Sequence, residues 1–182
     1  MYIRKKILFL LPLLFSLSVL SSDIEEIIVK GEYIEKSLGE EDSSIVVIQS
    51  EQIKSQAIKH FQQLSHLVPN LNYAASDSRA RYFQIRGIGE RSGYQGTPNS
   101  SVGFLIDDID YSGQGGIATL FDVDQVEIFR GPQGSRTGAN ALAGLIYIKT
   151  KDPTDKFEGT SELTVGDYGT QNIGVAFGGP LK

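Results

Sequence analysis

Several groups of residues have types and spacings that could do chemistry. Gly131-Pro132-Gln133-Gly134 and Gly134-Ser135-Arg136-Thr137-Gly138 resemble a loop that cradles phosphate. Such a loop needs a lysine to reach the phosphates, and none stands at the required position. Gly87-Ile88-Gly89 begins a dinucleotide fingerprint, but the next glycine is Gly93, so the third glycine of the motif is missing. Asp108, Asp110, Ser112 and Gly113 imitate the opening of a calcium loop. Its twelfth position would be Thr119 rather than a bidentate glutamate. A solvated turn is expected there, with a loose calcium site as the alternative. His60 and His66 stand six residues apart, about 240° around a helix. They cannot share a face as a metal pair and are expected to be surface or satisfied histidines. No nucleophile, base and orienting group converge, so the chain is expected to be no enzyme, with no catalytic residue, cofactor or resident metal. Two arginines remain. Arg86 and Arg130 each close an apolar run and precede a glycine. A guanidinium at a strand end can grip a carboxylate bidentately, most strongly when partly buried; solvated strand ends are the alternative.

The elements that must position these residues are short strands. Between Val126 and Lys149, the β-rich runs VEIF and LIYI bracket fifteen residues that include Gly131, Gly134, Gly138 and Gly144. The segment reads as strand, ordered glycine loop, strand. Further strands are expected at Ile45–Ile48, Leu71–Ala74, Tyr82–Arg86 and Val102–Asp107, with a polar turn containing Asp77 and an acidic turn at Asp107, Asp108 and Asp110. Ser50 offers an N-cap, and Glu51 and Gln52 suit a first helical turn. Ile53, Ala57 and Ile58 form one apolar stripe, and Phe61, Leu64, Leu67 and Val68 another, at helical spacing up to Pro69. These stripes read as core. A short helix is expected over Ala118–Asp124. Few helices among many strands predict α+β, a small mixed sheet with helices on it.

Two segments lie outside that domain. Ile24–Gly31 (IEEIIVKG) is a short apolar run, and the acidic stretch after it reads as a flexible linker. A short strand on a tether can add itself to another protein's sheet; equally, it can pack on its own domain. After Pro153, Glu158–Val165 and Gln171–Phe177 alternate polar and apolar around a Gly-Asp-Tyr-Gly turn at 166–169. Alternation over eight or so residues fits a transmembrane β-strand, apolar to lipid and polar to the lumen. A soluble hairpin with one buried face gives the same pattern.

Composition narrows the classes. Arg4, Lys5 and Lys6 precede an apolar run from Ile7 to Leu20, with small residues Val19 and Ser21 before a plausible cleavage site. Residues 1–21 thus read as a secretory signal peptide. Its removal takes the formal charge from −5 to −8. An acidic chain is a poor nucleic-acid binder. There is no cysteine, so an exported domain would hold together without disulfides.

IFRGPQGSRTGANALAGLIYIK, ending at Lys149, resembles the end of the plug domain of TonB-dependent outer-membrane receptors, and FQIRGIG (83–89) resembles its other recurring motif. The resemblance implies a signal peptide at 1–21, a TonB box and linker at 22–44, a plug at 45–152 and the first antiparallel hairpin of a transmembrane β-barrel at 153–182. The box would be Ile24, Glu25, Glu26, Ile27, Ile28 and Val29, binding TonB from the periplasmic side. Arg86 and Arg130 would lock plug to barrel by facing carboxylates of the wall. Apical loops 87–101 and 111–117 would meet a scarce nutrient, commonly a ferric siderophore, through Arg91, Tyr94 and Gln95. The protein would sit in the cell outer membrane, against lipid. A lumen that holds a plug needs about 22 strands, and two strands cannot close a barrel; the sequence is therefore expected to be a fragment or a truncated product. The competing expectation is a free periplasmic binding or interaction module whose last hairpin belongs to its own soluble sheet.

Overall fold

The computed structural model describes residues 26–75, 79–92, 99–114, 116 and 118–180. In chain order the elements are β1 (Ile28–Val29), β2 (Lys36–Ser37), β3 (Ile45–Gln49), α1 (Ser50–Ser55), α2 (Phe61–Leu64), β4 (Leu71–Ala75), β5 (Ala80–Ile85), β6 (Val102–Ile106), β7 (Ile109–Asp110), β8 (Val123–Phe129), α3 (Gly134–Thr137), β9 (Gly144–Thr150), β10 (Glu158–Val165) and β11 (Gln171–Gly178).

The centre is a five-stranded sheet in the order β3-β8-β9-β6-β7. β6 and β9 run parallel, with Phe104 opposite Ile146, while the other pairs are antiparallel. The sheet is therefore mixed, as the interleaved pattern predicts. Strand alternation sends Val126 and Ile128 of β8 to one face, and Gln125, Glu127 and Phe129 to the other. The first face carries the main core, where Ile48, Val126, Ile128, Ile146 and Ile148 meet Ile53, Ile58, Phe61 and Leu64 from the helical segment. Phe61 stands edge-on to Phe83 at 5.0 Å and to Phe104 at 5.2 Å. Such aromatic pairs add about 0.5–1.5 kcal/mol beyond burial. The second face carries a smaller core of Leu105, Phe129, Ala141, Leu145 and Tyr147, covered by Val29. Burial on both faces explains why LIYI is apolar without a break.

Two close approaches fix the loops. Asp107 and Asp108 have φ of 45° and 69°, the left-handed pair that a two-residue hairpin between β6 and β7 requires. At Gly144 (φ +158°) a Cβ would run into the Phe129 carbonyl and sit 2.7 Å from Ile85 Cδ1, so only glycine lets β9 begin there.

Four expectations need correction. Ser50 is the first residue of α1 rather than its cap; Gln49 occupies the cap position, and the Ser50 hydroxyl donates to Glu51. The two apolar stripes do not lie on one helix. α1 ends at Ser55, Ala57 takes φ 52°, and α2 followed by a 3₁₀ turn at Ser65–Leu67 carries the second stripe. Ala57 is exposed, although its stripe partners Ile53 and Ile58 are buried. No helix forms over 118–124: Thr119 bridges to His60, Asp122 takes φ 58°, and β8 has begun by Val123. The stretch after Gly31 is not simply a loose linker, because Lys36–Ser37 pairs with β1 and Leu38–Glu40 forms a 3₁₀ turn. Asp77 lies outside the described residues.

Candidate functional site

Residues 27–33 form a strap over the second face of the sheet. Ile27 O accepts from Leu38 N at 2.8 Å, and β1 pairs with β2. Val29 is 0% exposed. Beyond it the backbone is gripped by side chains of β8. Lys30 N donates to Glu127 Oε1 at 2.6 Å, and Gly31 N donates to Oε2 at 2.7 Å. Gln125 Nε2 donates both to Ile28 O at 2.9 Å and to Glu127 Oε1. Lys30 Nζ reaches Asp124 at 2.9 Å. Glu127 is itself 0% exposed. Burial pushes its carboxyl above the ordinary value, while the amides of Lys30 and Gly31, Gln125 and the charge of Arg136 hold it down. Arg136 is stacked between Tyr33, 5.4 Å from its guanidinium carbon, and Tyr147, at 4.9 Å, and pairs with Asp108.

The acidic turn is spent on structure. Besides the pair of Asp108 with Arg136, Asp110 accepts from Ser112 N at 2.8 Å and from Asn140 Nδ2 at 3.0 Å. His60 caps α2, with Arg79 Nη1 at 2.8 Å from its Nδ1.

Arg86 and Arg130 lie one residue past β5 and β8, and the residues before them, Ile85 and Phe129, both meet Gly144. Their main chains are anchored: Arg86 N donates to Asn70 O at 2.9 Å, and Arg130 N to Ser44 O at 2.8 Å. Arg86 is exposed. Arg130 Nε is buried with no hydrogen-bond partner among the described residues. A buried donor left without an acceptor is costly.

The loop after β5 is pinned at its stem. Gln84 Nε2 donates to Glu90 O at 2.6 Å, and Glu90 Oε1 accepts from Ser101 N at 2.9 Å and from Ser101 Oγ at 2.6 Å. Arg91 sits just beyond this clasp, while Tyr94 and Gln95 lie outside the described residues.

β10 and β11 pair antiparallel over eight residues each, with Leu163 opposite Ile173. Neither core includes a residue of this ribbon. Its polar side is turned toward the domain: Glu162 pairs with Lys59, and Gly174 lies against the Phe121 ring. The other side is bare and apolar, with Leu163 71%, Ile173 76% and Phe177 85% exposed.

Of the six expected box residues, Ile24 and Glu25 lie outside the described residues, Glu26 is exposed, and Ile27, Ile28 and Val29 belong to the docked strap. Sequence reasoning missed Gln125, Glu127 and Arg136. The signal was present in VDQVEIF, where Gln125 and Glu127 alternate with Val126 and Ile128 and so share one face of the strand.

A family profile described as the TonB-dependent receptor plug domain matches residues 37–145. The ferripyoverdine receptor of Pseudomonas aeruginosa is 24% identical over 143 residues, which is 78% of this chain and 17% of that protein. The crystal structure of that receptor bound to ferripyoverdine superposes with a TM-score of 0.70 at 21% identity, covering 86% of this chain and 20% of the receptor. The ferric yersiniabactin uptake receptor of Yersinia pestis gives a TM-score of 0.64 at 23% identity, over 77% of this chain and 22% of the other. The chain thus spans about a fifth of the length of the proteins it matches. With more than half of its 182 residues inside the matched profile, the chain belongs to the TonB-dependent receptor plug domain family.

Proposed function

We propose that this chain supplies the plug and the first two barrel strands of a receptor that imports a ferric siderophore with energy delivered through TonB. Membership of the family puts it in the outer membrane. The observation that carries the barrel assignment is the orientation of the β10–β11 ribbon. Its polar side faces the domain and its apolar side faces away, as a strand pair between a lumen and lipid requires. A soluble module would be expected to turn that apolar side into its own core.

The parts then take the following roles. Residues 1–21 direct export, 22–44 hold the TonB box and its tether, 45–152 form the plug, and 153–182 begin the barrel. Arg130, with its buried unpartnered Nε, and Arg86 reach carboxylates of the barrel wall. Arg91, Tyr94 and Gln95 belong to the apical surface that meets the siderophore. The ferric siderophore class is proposed because related receptors are named for ferripyoverdine and ferric yersiniabactin. These relatives are named as receptors, which supports reading this chain as no enzyme.

The test is uptake of radioiron by cells producing the protein as its gene encodes it, offered on a panel of siderophores. Uptake of at least one complex is expected, and it should stop when Ile28 is replaced by proline, which removes a strand hydrogen bond. Iron accumulation indifferent to both the protein and the Ile28→Pro change would remove the transport reading. An Arg91→Ala/Tyr94→Ala variant should bind that complex more weakly; equal affinity would take these residues out of the site.

A further inference from the structure

Three buried side-chain atoms have no hydrogen-bond partner among the described residues, and two of them belong to groups of opposite charge, Glu41 Oε2 and Arg130 Nε. Both groups stand at one corner of the fold. Ser44, the residue before β3, accepts from Arg130 N at 2.8 Å, just past the rung that pairs Ile45 with Phe129. One residue earlier, Ser43 N donates to Glu41 Oε1 at 3.0 Å and draws the carboxylate toward the start of β3. The second oxygen of that carboxylate is left over. A buried acceptor and a buried donor that both stay unpaired each cost free energy, and more so when charged. A guanidinium is a flat fork with two usable edges. One edge joins Nε to a terminal amino group, and the other is made of the two terminal amino groups. A carboxylate on the first edge leaves the second free for another carboxylate.

We propose that Glu41 is a positioning residue whose carboxylate takes the Nε edge of Arg130 and so aims the two terminal amino groups of that arginine at the barrel wall. The second half of this statement rests on the reading of Arg130 as a contact between plug and barrel. The two side chains are not joined in this structure. Both are long and turn about several bonds, so they come together by rotation while the main-chain anchors at Ser43 and Ser44 hold. Joining them satisfies both leftover atoms at once with a charge-assisted hydrogen bond. It also fixes the plane of the guanidinium, which a single contact at its far end would leave free to swing. An arginine held in this way loses less freedom when it meets the wall.

The experiment uses the protein as its gene encodes it, folded into lipid vesicles with isotope-labelled arginine. The Nε proton of Arg130 is followed by nuclear magnetic resonance, and stability by urea titration. Glu41→Gln keeps the shape and removes the charge. The Nε proton should then exchange about tenfold faster, and the folded-to-unfolded ratio should fall about tenfold. Arg130→Lys keeps the charge but has no Nε. In that background Glu41→Gln should change the ratio by less than about threefold. A turn at Glu41 that served structure alone would cost the same in both. Glu41→Asp draws the carboxylate back by one methylene and should give the same two changes, which covers the case where the Glu41→Gln protein does not fold. An Nε proton that exchanges at the wild-type rate in the Glu41 variants, or an equal cost of Glu41→Gln in both backgrounds, overturns the pair. With Glu41→Gln in place, Arg130→Ala should still lower the ratio about tenfold or more through the wall contacts. A change below about threefold there, with the coupling intact, upholds the pair and refutes the wall reading instead.

Discussion

Val175 lies near the middle of β11, opposite Ser161, on the outward side of the ribbon. It is 54% exposed. In hydrocarbon that uncovered half would be sheltered by lipid, adding about half of the ~1.5 kcal/mol that full burial of a valine brings. Val175→Arg forfeits this and places a guanidinium there instead. The total penalty for arginine on the lipid face is ~2–4 kcal/mol at the bilayer midplane and ~0–1 near the interfaces. A central position should therefore lose on the order of 30- to 1000-fold in the folded-to-unfolded ratio. If this side faced water, the same change would stay within about 0.5 kcal/mol. Asn172→Arg, on the polar side of the same strand, is the matched control and should be nearly neutral. The assay is a urea titration of protein folded into lipid vesicles, backed by its level in isolated outer membranes. Equal midpoints for the Val175 and Asn172 variants would refute the lipid-facing assignment.

Two more expectations concern the plug. Phe61 is fully buried between Phe83 and Phe104; Phe61→Ala should cost about 3–5 kcal/mol, seen as faster hydrogen exchange across β6 and β9, and a loss below ~1 kcal/mol would mean the site collapses around the gap. His60 is held below its ordinary value of 6.5 by burial and by the Arg79 charge. Its unfolded form therefore takes up the proton first, so stability present above pH 6.5 is lost as pH falls toward the folded value. His60→Gln should flatten the urea midpoint across that window relative to the wild type, and an unchanged slope would show that other groups set it.

The sheet was legible because its strands are apolar runs bounded by glycine and polar turns, and β8, β9 and β10 lie close to where VEIF, LIYI and the alternating segment predict them. The break at Ala57 was hidden, because the spacing of Ile53, Ile58, Phe61 and Leu64 satisfies a continuous helix as well as a broken one. The docking of the strap was hidden for a different reason. Most of its anchors are main-chain groups of Ile28, Lys30 and Gly31, which any sequence possesses. What singles them out is a carboxylate on a strand far along the chain, and only the fold brings the two together. The arginines were legible as strand ends, but the burial of Arg130 Nε without a partner among the described residues depends on how the strands pack, which no local pattern reveals.

β3 follows directly from the tethered N-terminal stretch and forms one border of the central sheet, joined only to β8 through five antiparallel residue pairs. A border strand can be peeled away while β8, β9 and β6 keep their own ladder. A pull applied at the chain start would meet the docked strap first and then β3, the piece of the sheet whose departure disturbs the remainder least. The vacated rim of β8 keeps its unpaired amides and carbonyls, a template on which the same ribbon of backbone can zip back once the tension ends.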